Sequence, residues 1–193
     1  MVDTLLLLMG LPGSGKTTWR KDLSCQTPCD PNCYDVGFCV CGTQDRPVFC
    51  PDDALLDKER RYVWSPEQAS DAWFAALKAY GRALANPTPQ MPGNVGEGFY
   101  PLLIWDACFI SAMSRRNIVA ISSGAVEVHG LFFYAPLETC IQRNAERSGD
   151  RRVPVEVIER MAMALEPPTL AEGFSEVHIV TDANREELLQ KYS

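Results

Sequence analysis

Apolar residues in this chain gather in short continuous runs, and the stretches between them carry a helical period. Thr4 to Met9, Arg46 to Cys50, Phe99 to Trp105, Val126 to Tyr134 and Val177 to Val180 read as strands. Such runs suit parallel strands covered on both faces. A helix is predicted over Lys16 to Leu23, and another from Asp53 toward Arg61. Ser65-Pro66-Glu67-Gln68 combines a cap serine, proline at the first helical position and a glutamine that completes a capping box, so a long helix begins there. It runs to about Asn86, where Pro87 and Pro89 end it, and Trp73, Phe74, Leu77, Tyr80 and Leu84 form its apolar stripe, read as core. Further helices are predicted over Ser114 to Ser123, from Pro136-Leu137-Glu138, from Val153-Pro154 to before Pro167-Pro168, and from a cap at Asp182 toward Lys191. Strands alternating with helices predict an α/β fold, a parallel sheet with helices on both faces.

At 193 residues the chain is long enough to bury a full core and is read as one domain, 1–193. Two stretches break the alternation: an insertion over about 25–46, and a proline- and glycine-rich loop over about 87–99. Hydrophobic content of 46% and charged content of 22% are ordinary for a globular chain. Met1 to Met9 is too short for a leader and no apolar run reaches membrane-spanning length, so no membrane partner and a cytoplasmic location are expected. A net charge of −7 argues against indiscriminate binding to nucleic acid, which is dominated by cationic contacts, but leaves room for a local basic groove.

The chemistry starts after the first strand. Gly10, four residues, then Gly15-Lys16-Thr17 fits the phosphate-binding loop. Backbone N–H groups can turn inward around a phosphate chain only where glycines accept unusual dihedral angles and no side chain blocks the approach. Gly13, Ser14, Gly15, Lys16, Thr17 and Thr18 are therefore candidate nucleotide-binding residues. Lys16 would reach the outer phosphates of ATP, and the Thr17 hydroxyl would coordinate Mg²⁺. The helix opening at Lys16 would add its N-terminal dipole.

Three other features carry candidate chemistry. Asp106, directly after the third strand, sits where a carboxylate would help hold the Mg²⁺, so Thr17 and Asp106 are the candidate metal residues. Asp52 and Asp53 follow the second strand, where open α/β sheets place their ligands; one is expected to be chemical and the other structural. Arg143, Arg147, Arg151 and Arg152 lie within ten residues, either as a solvated helix end or as a lid over the triphosphate at about 143–155.

Six of the eight cysteines fall between Cys25 and Cys50. Reduced cysteines acting as small hydrophobes are the first reading, a Zn²⁺ site involving Cys29, Cys33, Cys39 and Cys41 the second, and disulfides the third.

Taken in order, GLPGSGKTTW, Pro51-Asp52-Asp53, the strand ending at Asp106, RNAERSG at Arg143 to Gly149 and EPPTLAEGF at Glu166 to Phe174 resemble the polynucleotide 5′-hydroxyl kinase family of phosphate-loop phosphotransferases. Seryl-tRNA kinases share much of the pattern, including PLETCIQRN at Pro136 to Asn144. The resemblance implies a phosphate-loop kinase-like fold with an arginine-rich helical lid and a Cys-rich insertion. It also implies roles: Lys16 and Thr17 for triphosphate and metal, Asp52 as general base, Asp106 supporting metal and acceptor, Arg147 on the transferring phosphoryl group, and Arg143 supporting it. The family usually carries arginine three residues after the catalytic aspartate, where it meets the acceptor's phosphate; here Leu55 stands there. Arg60 and Arg61 lie further along as candidate substitutes.

The function so implied is transfer of the γ-phosphoryl group of ATP to a hydroxyl of a nucleic acid, DNA or RNA, with a polynucleotide 5′-OH foremost. Alternatives are another nucleic-acid hydroxyl, as in a hydroxymethylated DNA base or seryl-tRNA, and a nucleotide-dependent binding module without transfer.

Overall fold

The structure, a computed structural model, describes residues 4–24, 47–55, 65–85, 102–147 and 149–193. The Cys-rich insertion and its zinc reading, the continuation of the Asp53 helix with Arg60 and Arg61, and the loop over 87–99 lie outside the described residues.

Five parallel strands form one sheet in the order β2-β3-β1-β4-β5, with β1 at Thr4–Met9, β2 at Val48–Phe49, β3 at Leu102–Asp106, β4 at Glu127–Phe133 and β5 at Glu176–Val180. The central strand is the most apolar, and Leu5 to Met9 are all buried. Its side chains divide between the faces. Leu5, Leu7 and Met9 join Phe49, Tyr80, Trp105 and Ile118 on one side; Leu6 and Leu8 join Trp19, Leu23, Ile104 and Leu131 on the other. Each buried leucine of this kind contributes roughly 1.5–3 kcal/mol relative to exposure. Two dry faces explain why the run does not alternate.

Helix α1 (Lys16–Ser24) and helix α6 (Arg185–Tyr192) cover the second face, where Trp19 packs edge-on against Phe133 and Tyr192. Helix α2 (Pro66–Ala85) and helix α3 (Ala112–Ser122) cover the first. Helices α4 (Leu137–Ala145) and α5 (Val155–Met163) follow β4. The cap at Ser65 forms as expected, its Oγ accepting the Gln68 N–H at 3.2 Å.

Three expectations need correction. Trp73 and Phe74 are 39% and 69% exposed; Ala72, Ala76 and Tyr80 make the buried face instead, because small alanines let the helix approach the bulky β3 side chains. Trp73 still stacks on Trp105, with ring centroids 5.5 Å apart, from the rim of the core. Asp182 does not cap the last helix. Asn184 is the capping position, and its amide oxygen accepts the Thr181 N–H at 2.8 Å to shape the preceding turn. Helix α3 begins two residues before Ser114, with Ser111 as its cap and Ser114 returning the bond to complete a capping box.

Candidate active site

The loop between β1 and α1 has the dihedral angles its glycines permit. Gly10 has φ +137° and Gly13 φ +85°, and a Cβ would stand 2.5 Å from the Phe133 carbonyl oxygen at the first and 2.3 Å from the Cys140 carbonyl oxygen at the second. Both positions admit glycine alone, on dihedral and on steric grounds. The Gly10 N–H donates to the Cys108 carbonyl at 2.9 Å, which ties the loop to the segment after β3. Lys16 is 6% exposed, and its ammonium donates to the carbonyls of Gly10 at 2.8 Å and Leu11 at 2.9 Å, with Ser14 Oγ at 3.5 Å.

Thr17 lies one residue on and is exposed. Its hydroxyl donates to Asp106 Oδ2 at 3.1 Å, and Asp106 is 3% exposed at the end of β3 beside β1. A hydroxyl whose proton is taken by a carboxylate keeps its lone pairs for a cation. Arg20, one helical turn beyond Lys16, places its Nε 3.3 Å from the same Asp106 oxygen and is 7% exposed.

Beside the loop is a cleft of about 460 Å³. Gly13, Gly15, Lys16, Thr17 and Thr18 form its floor, and Arg143, Glu146, Arg147 and Arg185 line the rest. The volume suits a triphosphate with room for part of its nucleoside. A cradle that only glycine fits, a buried lysine and a hydroxyl–carboxylate pair match the donor set of ATP with Mg²⁺. Among the described residues no group of three or more His, Cys, Asp or Glu is placed to hold a metal ion.

Arg143 comes from the last turn of α4 and meets Asp182 at 3.3 Å; Arg147 follows the helix. Asn144, 2% exposed, holds this segment: its amide donates to the Val153 carbonyl at 2.7 Å and accepts the Val153 N–H at 3.0 Å. Asp52 is exposed on a single 3₁₀ turn, Pro51–Leu55, just past β2. Leu55 at the end of that turn is 6% exposed and belongs to the interior, not to the groove.

Cys108, just after β3, feels the charges of Lys16, Asp52, Asp106 and Arg147. Burial pushes that thiol up, and the two carboxylates add to the shift while the two cations oppose it. Cys140 is also raised, again by burial first, against Lys16, Arg143 and Arg147. Both shifts favour the neutral thiol over the thiolate.

The sequence reading missed two cations. Arg185 opens α6, donates to Asp22 at 2.6 Å, and has its carbonyl held by Trp19 Nε1 at 3.2 Å. Its guanidinium reaches over the phosphate loop, 3.5 Å from where a Cβ on Gly15 would stand. No local signal marks it. Arg20 was legible in principle, since a residue three after Thr17 shares its side of α1.

Among solved structures, a protein of the Pnkp1/Rnl/Hen1 RNA repair complex aligns with a TM-score of 0.60 and 19% identity, over 85% of this chain and 44% of its own. This chain thus spans less than half the length of that protein. A fungal RNA kinase aligns with a TM-score of 0.53 and 11% identity, over 100% of this chain and 82% of its own. A gluconokinase from Sinorhizobium meliloti 1021 gives 0.54 and 15%, over 98% and 89%. At these identities the likeness is one of fold. No curated protein sequence matches the chain. Residues 5–168 match the family described as AAA domain, from the first buried leucine of β1 to the prolines after α5. The chain belongs to that family.

Proposed function

We propose that this phosphotransferase moves the γ-phosphoryl group of ATP to a hydroxyl of a nucleic acid, with a polynucleotide 5′-OH as the acceptor. The observation that carries the reading is the phosphate loop, with its buried Lys16 and the Thr17–Asp106 pair, beside a cleft lined by Arg143 and Arg147. A cationic cleft suits the phosphate donor, and Asp52, exposed just past β2, is the carboxylate assigned to the acceptor hydroxyl.

In the proposed reaction the acceptor oxygen bonds to the γ-phosphorus as the bond to the β–γ bridging oxygen breaks, and the electron pair leaves with ADP. The acceptor's proton passes to Asp52. Lys16 neutralises the outer phosphates from a position already fixed by backbone carbonyls, so little reorganisation is needed. Thr17 and Asp106 would hold Mg²⁺, which when bound neutralises charge on the β- and γ-oxygens. Arg147 meets charge that develops in transfer, with Arg143 beside it.

A small polyol is the second acceptor class, favoured by the near full-length alignment with the gluconokinase. Transfer from γ-labelled ATP separates the two, with 5′-OH DNA and RNA oligonucleotides, modified-base duplexes and gluconate as acceptors. Label at the 5′ end of an oligonucleotide is expected. Label on gluconate alone overturns the nucleic-acid reading, and nucleotide binding without transfer to any acceptor returns the chain to a binding module.

A further inference from the structure

Arg20 is a buried guanidinium that the proposed mechanism leaves without a task. It projects from α1 on the side that carries Thr17, is 7% exposed, and reaches Asp106 Oδ2 at 3.3 Å. The Thr17 hydroxyl donates to that same oxygen at 3.1 Å. Two contacts converging on one oxygen restrict rotation of the carboxylate, and Asp106, 3% exposed, has little water to replace either. A buried carboxylate without its cation is costly, and it turns toward whatever donor remains. The orientation of the Thr17 hydroxyl depends on Asp106, so it depends in turn on Arg20.

We propose that Arg20 is a positioning residue for the metal: by holding the Asp106 carboxylate against Thr17, it sets the affinity of the loop for Mg²⁺-bound nucleotide. The proposal rests on the donor-site reading of Thr17 and Asp106. Partners that orient ligands in this way change metal affinity by about 10–100-fold when lost. Arg20 is distinct from Lys16, which acts on phosphate charge directly. Its loss therefore acts on the metal-dependent part of nucleotide binding and spares the rest.

The test is binding of ADP by calorimetry, with Mg²⁺ and with EDTA, to the wild-type chain, Arg20→Met, Arg20→Lys, Asp106→Asn and the double variant Arg20→Met/Asp106→Asn. The quantity read is the gain in affinity on adding Mg²⁺. Arg20→Met is expected to cut that gain by about tenfold or more while leaving ADP affinity in EDTA nearly unchanged. Arg20→Lys keeps the charge and is expected to restore part of the gain, and so carries the test if the methionine variant folds poorly. In the Asp106→Asn background, Arg20→Met is expected to do nothing further to the gain. The proposal is overturned if Arg20→Met weakens ADP equally with and without Mg²⁺, if it lowers the melting temperature but leaves the gain intact, or if its full effect persists beside Asp106→Asn. Wild-type protein that binds no ADP would overturn the donor-site reading itself, and with it this proposal.

Discussion

The floor of the cleft and its arginine wall are built on different principles. On the floor, Lys16 is buried and its ammonium is bonded to carbonyls five and six residues earlier in the chain, so its position follows from the conformation of one loop. On the wall, Arg143 and Arg147 are half-buried, and the backbone that carries them is pinned by Asn144 across nine residues to Val153. The Arg147 N–H donates to the Asn144 carbonyl at 3.1 Å, and Arg152 donates to the Arg147 carbonyl at 3.3 Å. The floor thus fixes a side chain within one loop, whereas on the wall Asn144 fixes the backbone and the Arg143 guanidinium is met separately, by Asp182. A charge present throughout the reaction is met best by a rigid cation; a charge that appears only in the transition state can be met by one that swings.

The sharpest way to break the contrast is Lys16→Ala. It removes the rigid cation without touching the wall and is expected to abolish transfer while the fold persists; turnover measured with circular dichroism as the control checks it. Near-normal turnover would mean that the floor is not the donor site.

Arg147→Ala comes next. It is expected to lower kcat by about 10²-fold or more and to change nucleotide affinity little, because its contact belongs to developing charge. Steady-state kinetics paired with direct ADP binding separates the outcomes. A rise in KM for ATP alone would make Arg147 a ground-state clamp, like the floor.

Asn144→Ala sharpens the comparison from behind. It deletes both bonds to Val153 and leaves a buried N–H and a carbonyl without that partner, at a cost of about 1–3 kcal/mol. The melting temperature should fall by several degrees and cleavage by protease should rise over 145–153, with ADP affinity retained. Loss of ADP affinity as large as that from Lys16→Ala would show that the two regions are one unit.

The smallest effect is expected far from the cleft, where both histidines of the chain meet the base of α6. His129 Nδ1 lies 2.9 Å from the Tyr192 hydroxyl, His178 Nε2 lies 2.7 Å from Glu176, and Lys191 also bonds Glu176. Burial holds the His129 imidazole below its ordinary value, against the upward pull of Glu176 and Glu127 and with Lys191 adding to the depression. The unfolded chain therefore binds this proton more readily than the folded one, and stability falls as pH drops from about 6.5 toward the folded value. Glu176 is held down to about 2, chiefly by Lys191 and then His178, so its contribution is present above the ordinary carboxylate range and is lost only as pH falls toward 2. Thermal melts from pH 7.5 to 5 should show a shallow decline, which His129→Gln flattens. A slope unchanged in that variant would assign the decline to another group.

Leu55 shows how residue type alone is an incomplete guide to a position. Its lack of a cation is plain from the residue type, yet the side chain is 6% exposed. Leu55→Arg would bury a charge in the interior and does not rebuild an acceptor contact. Arg20, by contrast, is a described cation on the Asp106 side, and it comes from another helix.

What the sequence by itself determined is whatever rests on local backbone needs and on runs of one residue class. The Gly10-to-Thr17 loop, the buried central strand, the strand ending at Asp106 and the cap at Ser65 follow from short-range stereochemistry and burial, and the structure reproduces each. Only the tertiary structure decided that Ala72 and Ala76, not Trp73 and Phe74, make the inner face of α2, since that depends on the bulk of the opposing strand. It also decided that Arg20 reaches Asp106 and that Arg185 reaches the phosphate loop. These pairings join residues far apart in the chain, and the packing of strands in the order β2-β3-β1-β4-β5 and of the helices on them is what brings them together. Charge and hydrophobicity identify which groups seek partners; the packing of the sheet selects which partners they meet.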